Sequence, residues 1–168
     1  MRTRLTIAVA LFMVVLLGWQ HVHGGVPAHH LLAREDLPAV SNWWGLLTLP
    51  VLAWFLLGRI ERRREGGQGG TRILAAGFVA SLLYGFTLAL CFVSGKPEVS
   101  DIMAQGVFVI ALFYPVYRAE CLLGFVIGMS VFLGAILPMI AALVFAAVGA
   151  LLYHAVRFIW LRLSALAR

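Results

Sequence analysis

The sequence predicts an all-α, polytopic integral membrane protein, in which six transmembrane helices form one bundle with both termini in the cytoplasm. The 168-residue chain is 62% hydrophobic and only 12% charged, and its mean hydropathy is +0.98. Soluble domains are roughly half apolar and a quarter charged, so this chain has too little polar surface to cover an aqueous fold. Apolar runs of helical length recur along it, and arginines fall between alternate runs.

The apolar runs predict six helices in a single membrane domain, residues 1–168. They cover approximately Leu5–Trp19, Trp43–Leu57, Ile73–Val93, Ile102–Val116, Cys121–Leu137 and Ile140–Leu161. Spanning a bilayer takes roughly 17–25 residues, so the first, second and fourth runs are short. The first needs its flanking Arg4 and Trp19 to reach the interfaces, or a locally thinner bilayer. An outer histidine-rich loop, residues 20–42, follows the first helix. A cytoplasmic loop rich in arginine and glycine, residues 58–72, follows the second.

The boundary between the last two helices rests on Pro138, with Gly134 just before it, because no charged residue interrupts the chain from Cys121 to Val156. One continuous helix through this region would be about 55 Å long, whereas the hydrocarbon core of a bilayer is about 30 Å thick. We therefore expect a tight apolar hairpin. The sequence leaves open whether its arms are two full spans or a re-entrant pair.

The distribution of basic residues predicts the orientation. With six spans, eleven of the 13 lysines and arginines fall on one side, and only Arg34 and Lys96 fall on the other. Cytoplasmic loops retain Lys and Arg, so the arginine-rich side is predicted to be cytoplasmic, in a bacterial inner membrane. The eleven are Arg2, Arg4, Arg59, Arg62, Arg63, Arg64, Arg72, Arg118, Arg157, Arg162 and Arg168.

The N-terminal segment also has the basic start and apolar run of a signal peptide. Leu17, however, is followed by Gly-Trp-Gln-His rather than by a small-residue cleavage site. We therefore predict that the first helix is retained as a membrane anchor.

Two sets of small residues recur at intervals of four, Gly77, Ser81 and Gly85 in the third helix and Gly124 and Gly128 in the fifth. This spacing places them on one face of each helix, where small side chains let helices pack closely in lipid. The faces could serve packing within the chain or a homo- or hetero-oligomer. Besides the lipid bilayer, such an oligomer is the partner that the sequence suggests.

The segment His21–His30, HVHGGVPAHH, contains four of the five histidines. Gly24, Gly25 and Pro27 allow the chain to turn back. Neutral imidazoles bind Zn, Cu, Ni and Fe, and nearby carboxylates could complete such a site. The candidate ligands of a transition metal or haem are His21, His23, His29, His30, Glu35 and Asp36. The alternative is that these polar rings meet water at a membrane interface.

The sequence offers no catalytic constellation and no nucleotide-binding fingerprint. None of the six spans carries Asp, Glu, Lys or Arg in its middle third, which disfavours an ion-coupled transporter. We interpret the net charge of +6 as a topology signal rather than a nucleic-acid surface. The favoured function is an assembly or accessory component of the inner membrane, without catalytic machinery. The alternative is transition-metal or haem handling by the histidine loop, including a membrane metalloenzyme that leaves one metal position to water.

Overall fold

The computed structural model describes residues 1–23, 25, 28–30, 39–67 and 70–166. Apart from two strands of three residues each, the regular structure in these ranges is helical. The elements are α1 (Arg2–Val22), β1 (Ala28–His30), β2 (Ala39–Ser41), a 3-10 turn (Asn42–Trp44), α2 (Gly45–Glu65), α3 (Thr71–Val93), α4 (Pro97–Phe113), α5 (Ala119–Leu133) and α6 (Ile136–Leu166).

Four helical segments in the described residues are long and apolar enough to cross a membrane. They are Arg2–Val22, Asn42–Glu65, Thr71–Val93 and Ile136–Arg162, which correspond to α1, α2 with its preceding 3-10 turn, α3, and most of α6. α4 and α5 have 17 and 15 residues. The structure therefore confirms an all-α protein with transmembrane helices.

The helices begin and end at different residues from those predicted, and the physical reasons are local. α2 continues beyond Leu57 to Glu65, because arginine is a good helix former and does not by itself end a helix. α4 begins at Pro97, since proline suits the first turn of a helix. It ends at Phe113, because Tyr114 precedes a proline and adopts an extended conformation with φ −125° and ψ 134°.

The break between α5 and α6 lies at Gly134 rather than at Pro138. Gly134 has φ +68°, a left-handed conformation that glycine adopts without steric cost. Pro138 falls in the first turn of α6, where its missing N–H group breaks no hydrogen bond of the helix. The expected hairpin is therefore present, with a glycine at the turn.

α5 is the centre of the bundle. Ten of its fifteen residues are buried, as expected of a helix that is apolar on all sides, and it contacts α2, α3 and α6. Its contact with α3 is the most extensive between any two helices of the described chain. The core around it is contributed by α1, α2, α3, α5 and α6. Its buried residues include Met13, Leu17, Leu49, Leu88, Val126 and Met129.

Close packing of α3 against α5 depends on the small residues that the sequence analysis identified. A Cβ atom at Gly85 would overlap the carbonyl oxygen of Phe125, and one at Gly128 would overlap that of Leu82. The Gly77/Ser81/Gly85 and Gly124/Gly128 faces thus contact each other within the chain. An oligomer through these faces would require this contact to open.

Side-chain contacts give the helix directions. α3 and α5 are parallel, because Gly77 lies beside Cys121 near the start of both helices and Phe86 contacts Phe132 further along both. Tyr84 bonds to the carbonyl of Met103, whereas Gly77 lies beside Tyr114, so α4 is antiparallel to α3. Arg2 contacts Glu61 and Arg63 contacts Glu120, so α2 is antiparallel to α1 and to α5. The contact of Tyr117 with Tyr153 makes α6 antiparallel to α5.

The alternation gives the bundle two distinct ends. One, which we name the arginine end, includes the start of α1, α3 and α5, with Arg2, Arg63 and Arg118. The other, the histidine end, includes Trp19, His21, His23, Trp43 and Trp44.

Candidate functional site

The two histidines at the end of α1 contact tryptophan rings. The His23 ring stacks on Trp19, with 3.8 Å between the ring centres and 20° between the planes, and its Nδ1 lies 3.0 Å from the Trp19 carbonyl oxygen. The His21 ring meets the Trp43 ring at 61°, with 6.2 Å between centres. Each imidazole therefore packs against an aromatic neighbour, which is consistent with the predicted interfacial role.

The other candidate ligands are only partly described. β1 pairs antiparallel with β2, placing the backbone of His29 opposite Val40 and that of His30 opposite Ala39. β2 leads directly into the 3-10 turn before α2. The turn expected at Gly24, Gly25 and Pro27 includes residues outside the described ranges, and it stays a prediction. Glu35 and Asp36 lie outside the described residues.

No group of three or more His, Cys, Asp or Glu residues that could hold a metal ion occurs in the described part of the chain. His21 and His23 alone do not form a ligand set, since a zinc site needs three or four protein ligands. The metal or haem hypothesis gains no support from these two residues, and it stays a prediction.

A buried ion pair at the arginine end was not predicted. Nη1 of Arg63, in α2, lies 2.5 Å from Oε1 of Glu120, in the first turn of α5. The Glu120 side chain is only 2% exposed and that of Arg63 is 19% exposed. The N-terminal end of a helix also favours negative charge. The second carboxylate oxygen, Oε2, is buried without a hydrogen-bond partner among the described residues.

The surroundings of this pair combine apolar and weakly polar groups. The absence of a side chain at Gly77 lets α3 pack closely against the pair. A Cβ atom there would lie only 3.1 Å from Tyr114 Oη and 3.3 Å from Glu120 Cγ. The Tyr114 phenol can donate a hydrogen bond at neutral pH. The Cys121 thiol is free and buried. The pair is therefore enclosed by packed side chains, a structural arrangement that joins α2 to α5.

Arg2 joins α1 to α2 at the same end of the bundle. Its guanidinium carbon lies 3.8 Å from the centre of the Trp54 ring, and its Nε donates to the Trp54 carbonyl oxygen at 2.8 Å. Its backbone N–H donates to Glu61 Oε1 at 2.9 Å. An apolar cavity of about 290 Å³ lies between α1, α2, α3 and α5, and Glu120 is part of its wall.

Hydroxyl groups along the helices bond within the bundle. Ser81, Thr87 and Ser130 donate to backbone carbonyls three or four residues earlier, at 2.8–3.0 Å. Tyr84 donates to Met103 of the neighbouring helix. These polar groups stabilise helices and helix contacts, and they do not converge on a common substrate position.

A larger apolar cavity of about 500 Å³ lies between α3, α4, α5 and α6. Its wall includes Ala76 and Ala80 of α3, Ile110 of α4 and Phe145 of α6. At the arginine end it is bordered by Tyr114 and Cys121. Its volume exceeds that of the cavity beside Glu120.

The sequence contains a weak signal for the burial of Glu120. Glu120 is the last charged residue before a long uncharged run, and it is the second residue of α5. A carboxylate at the start of an apolar helix requires a partner when the helix end is buried. Pairing with Arg63 depended on α2 extending past its predicted end.

Comparison with known proteins gave no match: no family, no curated protein and no solved structure resembles this chain significantly.

Proposed function

We propose that this chain is a six-span protein of a bacterial inner membrane, with both termini in the cytoplasm, and that it works without catalytic machinery as an assembly or accessory component. The alternating helix directions support six crossings, because they bring the chain back across the bundle after each helix. The asymmetry of arginines between the two ends supports the orientation.

The short helices fit this proposal if the bilayer is thin around them. α4 and α5 are roughly 26 Å and 22 Å long at 1.5 Å per residue, against a hydrocarbon core of about 30 Å. Local thinning accommodates such a mismatch at modest cost. α5 is also shielded from lipid by α2, α3 and α6, so its ends need not reach both interfaces on their own.

The observation that best supports an assembly role is the exposed end of α6. Tyr153 and His154 of α6 contact the Tyr117 ring. Beyond His154 the helix continues to Leu166, which lies about 18 Å further along the helix axis. Phe158, Ile159, Trp160 and Leu161 are consecutive and exposed, so large apolar side chains cover most of the helix circumference. A helix that is apolar all round lies either inside a protein or in a lipid bilayer, and this segment lies beyond the ring contacts that hold α6 to Tyr117. We therefore infer that another membrane protein covers this segment.

Native mass spectrometry of the protein, purified in a mild detergent, tests the assembly role. We expect a complex with a second polypeptide in fixed ratio. An Ile159→Ser/Trp160→Ser variant is expected to lose that polypeptide while its thermal unfolding temperature stays unchanged.

A matched control is Val14→Ser/Val15→Ser, which alters exposed apolar residues of α1 far from the end of α6. It is expected to keep the complex. A monomer alone in the wild-type protein, or equal loss in both double variants, would contradict the assembly role.

The second candidate function is binding or handling of a transition metal or haem through His21, His23, His29, His30, Glu35 and Asp36. No contact among the described residues favours it. Metal analysis of the purified protein distinguishes it from the assembly role.

A further inference from the structure

The 500 Å³ cavity between α3, α4, α5 and α6, named here the bundle cavity, has the size of a ligand site. Pockets for small molecules are typically about 300–1,000 Å³. Its wall is almost wholly apolar, and its few polar groups include Ser81, Tyr84 and Tyr114. Ser81 and Tyr84 already donate to backbone carbonyls. The interior therefore selects an apolar occupant.

The cavity follows from the sequence of α3 and from contacts that hold its neighbours apart. Ala76 and Ala80 present small side chains to it, so they leave space that larger residues would fill. α4 is fixed on one side by the Tyr84–Met103 hydrogen bond, and on the other by the contact of Phe108 with Phe145 of α6, 5.5 Å between ring centres. The space is thus built into the packing of four helices.

Water is a poor occupant of such a space. Apolar cavities stay dry and bind apolar molecules, and an empty void forfeits the dispersion contacts of its walls. Lipid tails are as apolar as leucine side chains, and they surround a membrane protein. Residues from Ile73 to Tyr84 line the cavity along α3, a distance of about 16 Å, which suits an extended hydrocarbon chain.

The arginine end of the cavity carries positive charge. Ile73, in the cavity wall, directly follows Arg72, which is exposed. The guanidinium carbon of Arg118 lies 5.8 Å from the centre of the Tyr114 ring, which is also part of the wall. Arginine binds phosphate through paired, charge-assisted hydrogen bonds. The cytoplasmic leaflet contains anionic lipids.

We propose that the bundle cavity holds one acyl chain of an anionic phospholipid, with the phosphate of the headgroup beside Arg72 and Arg118. The proposal rests on the membrane orientation proposed above, and it is independent of the partner of α6. The lipid would act as a structural ligand that completes the contact between α3 and α6.

The test is quantitative lipid analysis of the protein purified in a mild detergent and washed until free lipid is removed. We expect the wild type to retain anionic phospholipid in a one-to-one ratio. Ala80→Phe and the milder Ala80→Leu fill the cavity, and both are expected to reduce retention to background. Leu83→Phe, which enlarges an exposed residue of α3 outside the cavity wall, is the matched control and should retain the lipid.

Arg118→Gln tests the headgroup separately. It should keep the acyl chain in place but lose the preference for anionic over zwitterionic phospholipid when the two are offered in equal amounts. Equal retention by the wild type and both Ala80 variants would overturn the proposal, as it would show only lipid at the outer surface. A retained apolar molecule other than a phospholipid, or an unchanged headgroup preference in Arg118→Gln, would also overturn it. These readouts do not depend on orientation, so they can fail while the topology holds.

Discussion

Arg63 and Glu120 are 57 positions apart in sequence, yet Nη1 of Arg63 and Oε1 of Glu120 are separated by 2.5 Å inside the bundle. The pair joins the end of α2 to the start of α5, the most buried helix. Burying a charge is costly in free energy unless the charge is paired. The buried carboxylate of Glu120 therefore stabilises the one arrangement of α2 and α5 in which Arg63 reaches it.

Replacing Glu120 should therefore destabilise the protein. Glu120→Ala removes the carboxylate that Arg63 binds, and breaking a buried pair costs roughly 3–5 kcal/mol. The free energy of unfolding can be measured by titration with sodium dodecyl sulfate, followed by tryptophan fluorescence.

Glu98→Ala is the matched control, because Glu98 is exposed in the first turn of α4. It should change stability little. The apolar pair Arg63→Met/Glu120→Leu should recover most of the loss, since replacing both partners of a buried pair is often neutral or stabilising. Equal stability of Glu120→Ala and Glu98→Ala would disprove the role of the pair.

Replacing glycine by alanine should lower the free energy of unfolding at Gly128 and raise it at Gly18. At Gly128 an added Cβ would overlap the carbonyl oxygen of Leu82, so Gly128→Ala should separate α3 from α5 and cost roughly 1–3 kcal/mol. At Gly18 no atom lies within 4 Å of the added Cβ. Gly18→Ala should therefore stabilise α1 by up to about 1 kcal/mol through helix propensity. The same detergent titration measures both, and a stable Gly128→Ala variant would refute the close α3–α5 contact.

The parts of the fold that could be predicted from sequence are those with local causes. The apolar runs predicted the six helices. The spacing of Gly124 and Gly128 predicted the face on which α5 packs, because helical periodicity is a property of the segment itself. Helix ends were less accurate, because the arginines after Leu57 were interpreted as a loop although they continue α2.

The Arg63–Glu120 pair and the bundle cavity could not be predicted, because both depend on long-range packing. Glu120 becomes a buried partner only when α2 is extended and placed beside α5. The cavity arises from small residues of α3 whose neighbours, Ile110 and Phe145, come from α4 and α6. No periodicity in one segment indicates which segments will meet.

Metal content separates the two proposed functions. If the protein is an accessory component without metal, elemental analysis after purification should give no stoichiometric Zn, Cu, Ni or Fe, and absorption spectra should show no haem. A His21→Ala/His23→Ala variant should then match the wild type. His154→Ala, at the arginine end of α6, serves as control. Stoichiometric metal or haem that is lost in the double variant but kept in His154→Ala would establish the metal-handling function instead.

Cysteine labelling tests the orientation of the bundle in the membrane. In a Cys91→Ser background, single substitutions Lys96→Cys, Glu65→Cys and Arg162→Cys place a thiol at exposed positions of the histidine end, the arginine end and the end of α6. We expect a membrane-impermeant maleimide to label the Lys96→Cys variant in intact cells, and the other two variants only after permeabilisation. Labelling of Glu65→Cys or Arg162→Cys in intact cells would contradict this orientation.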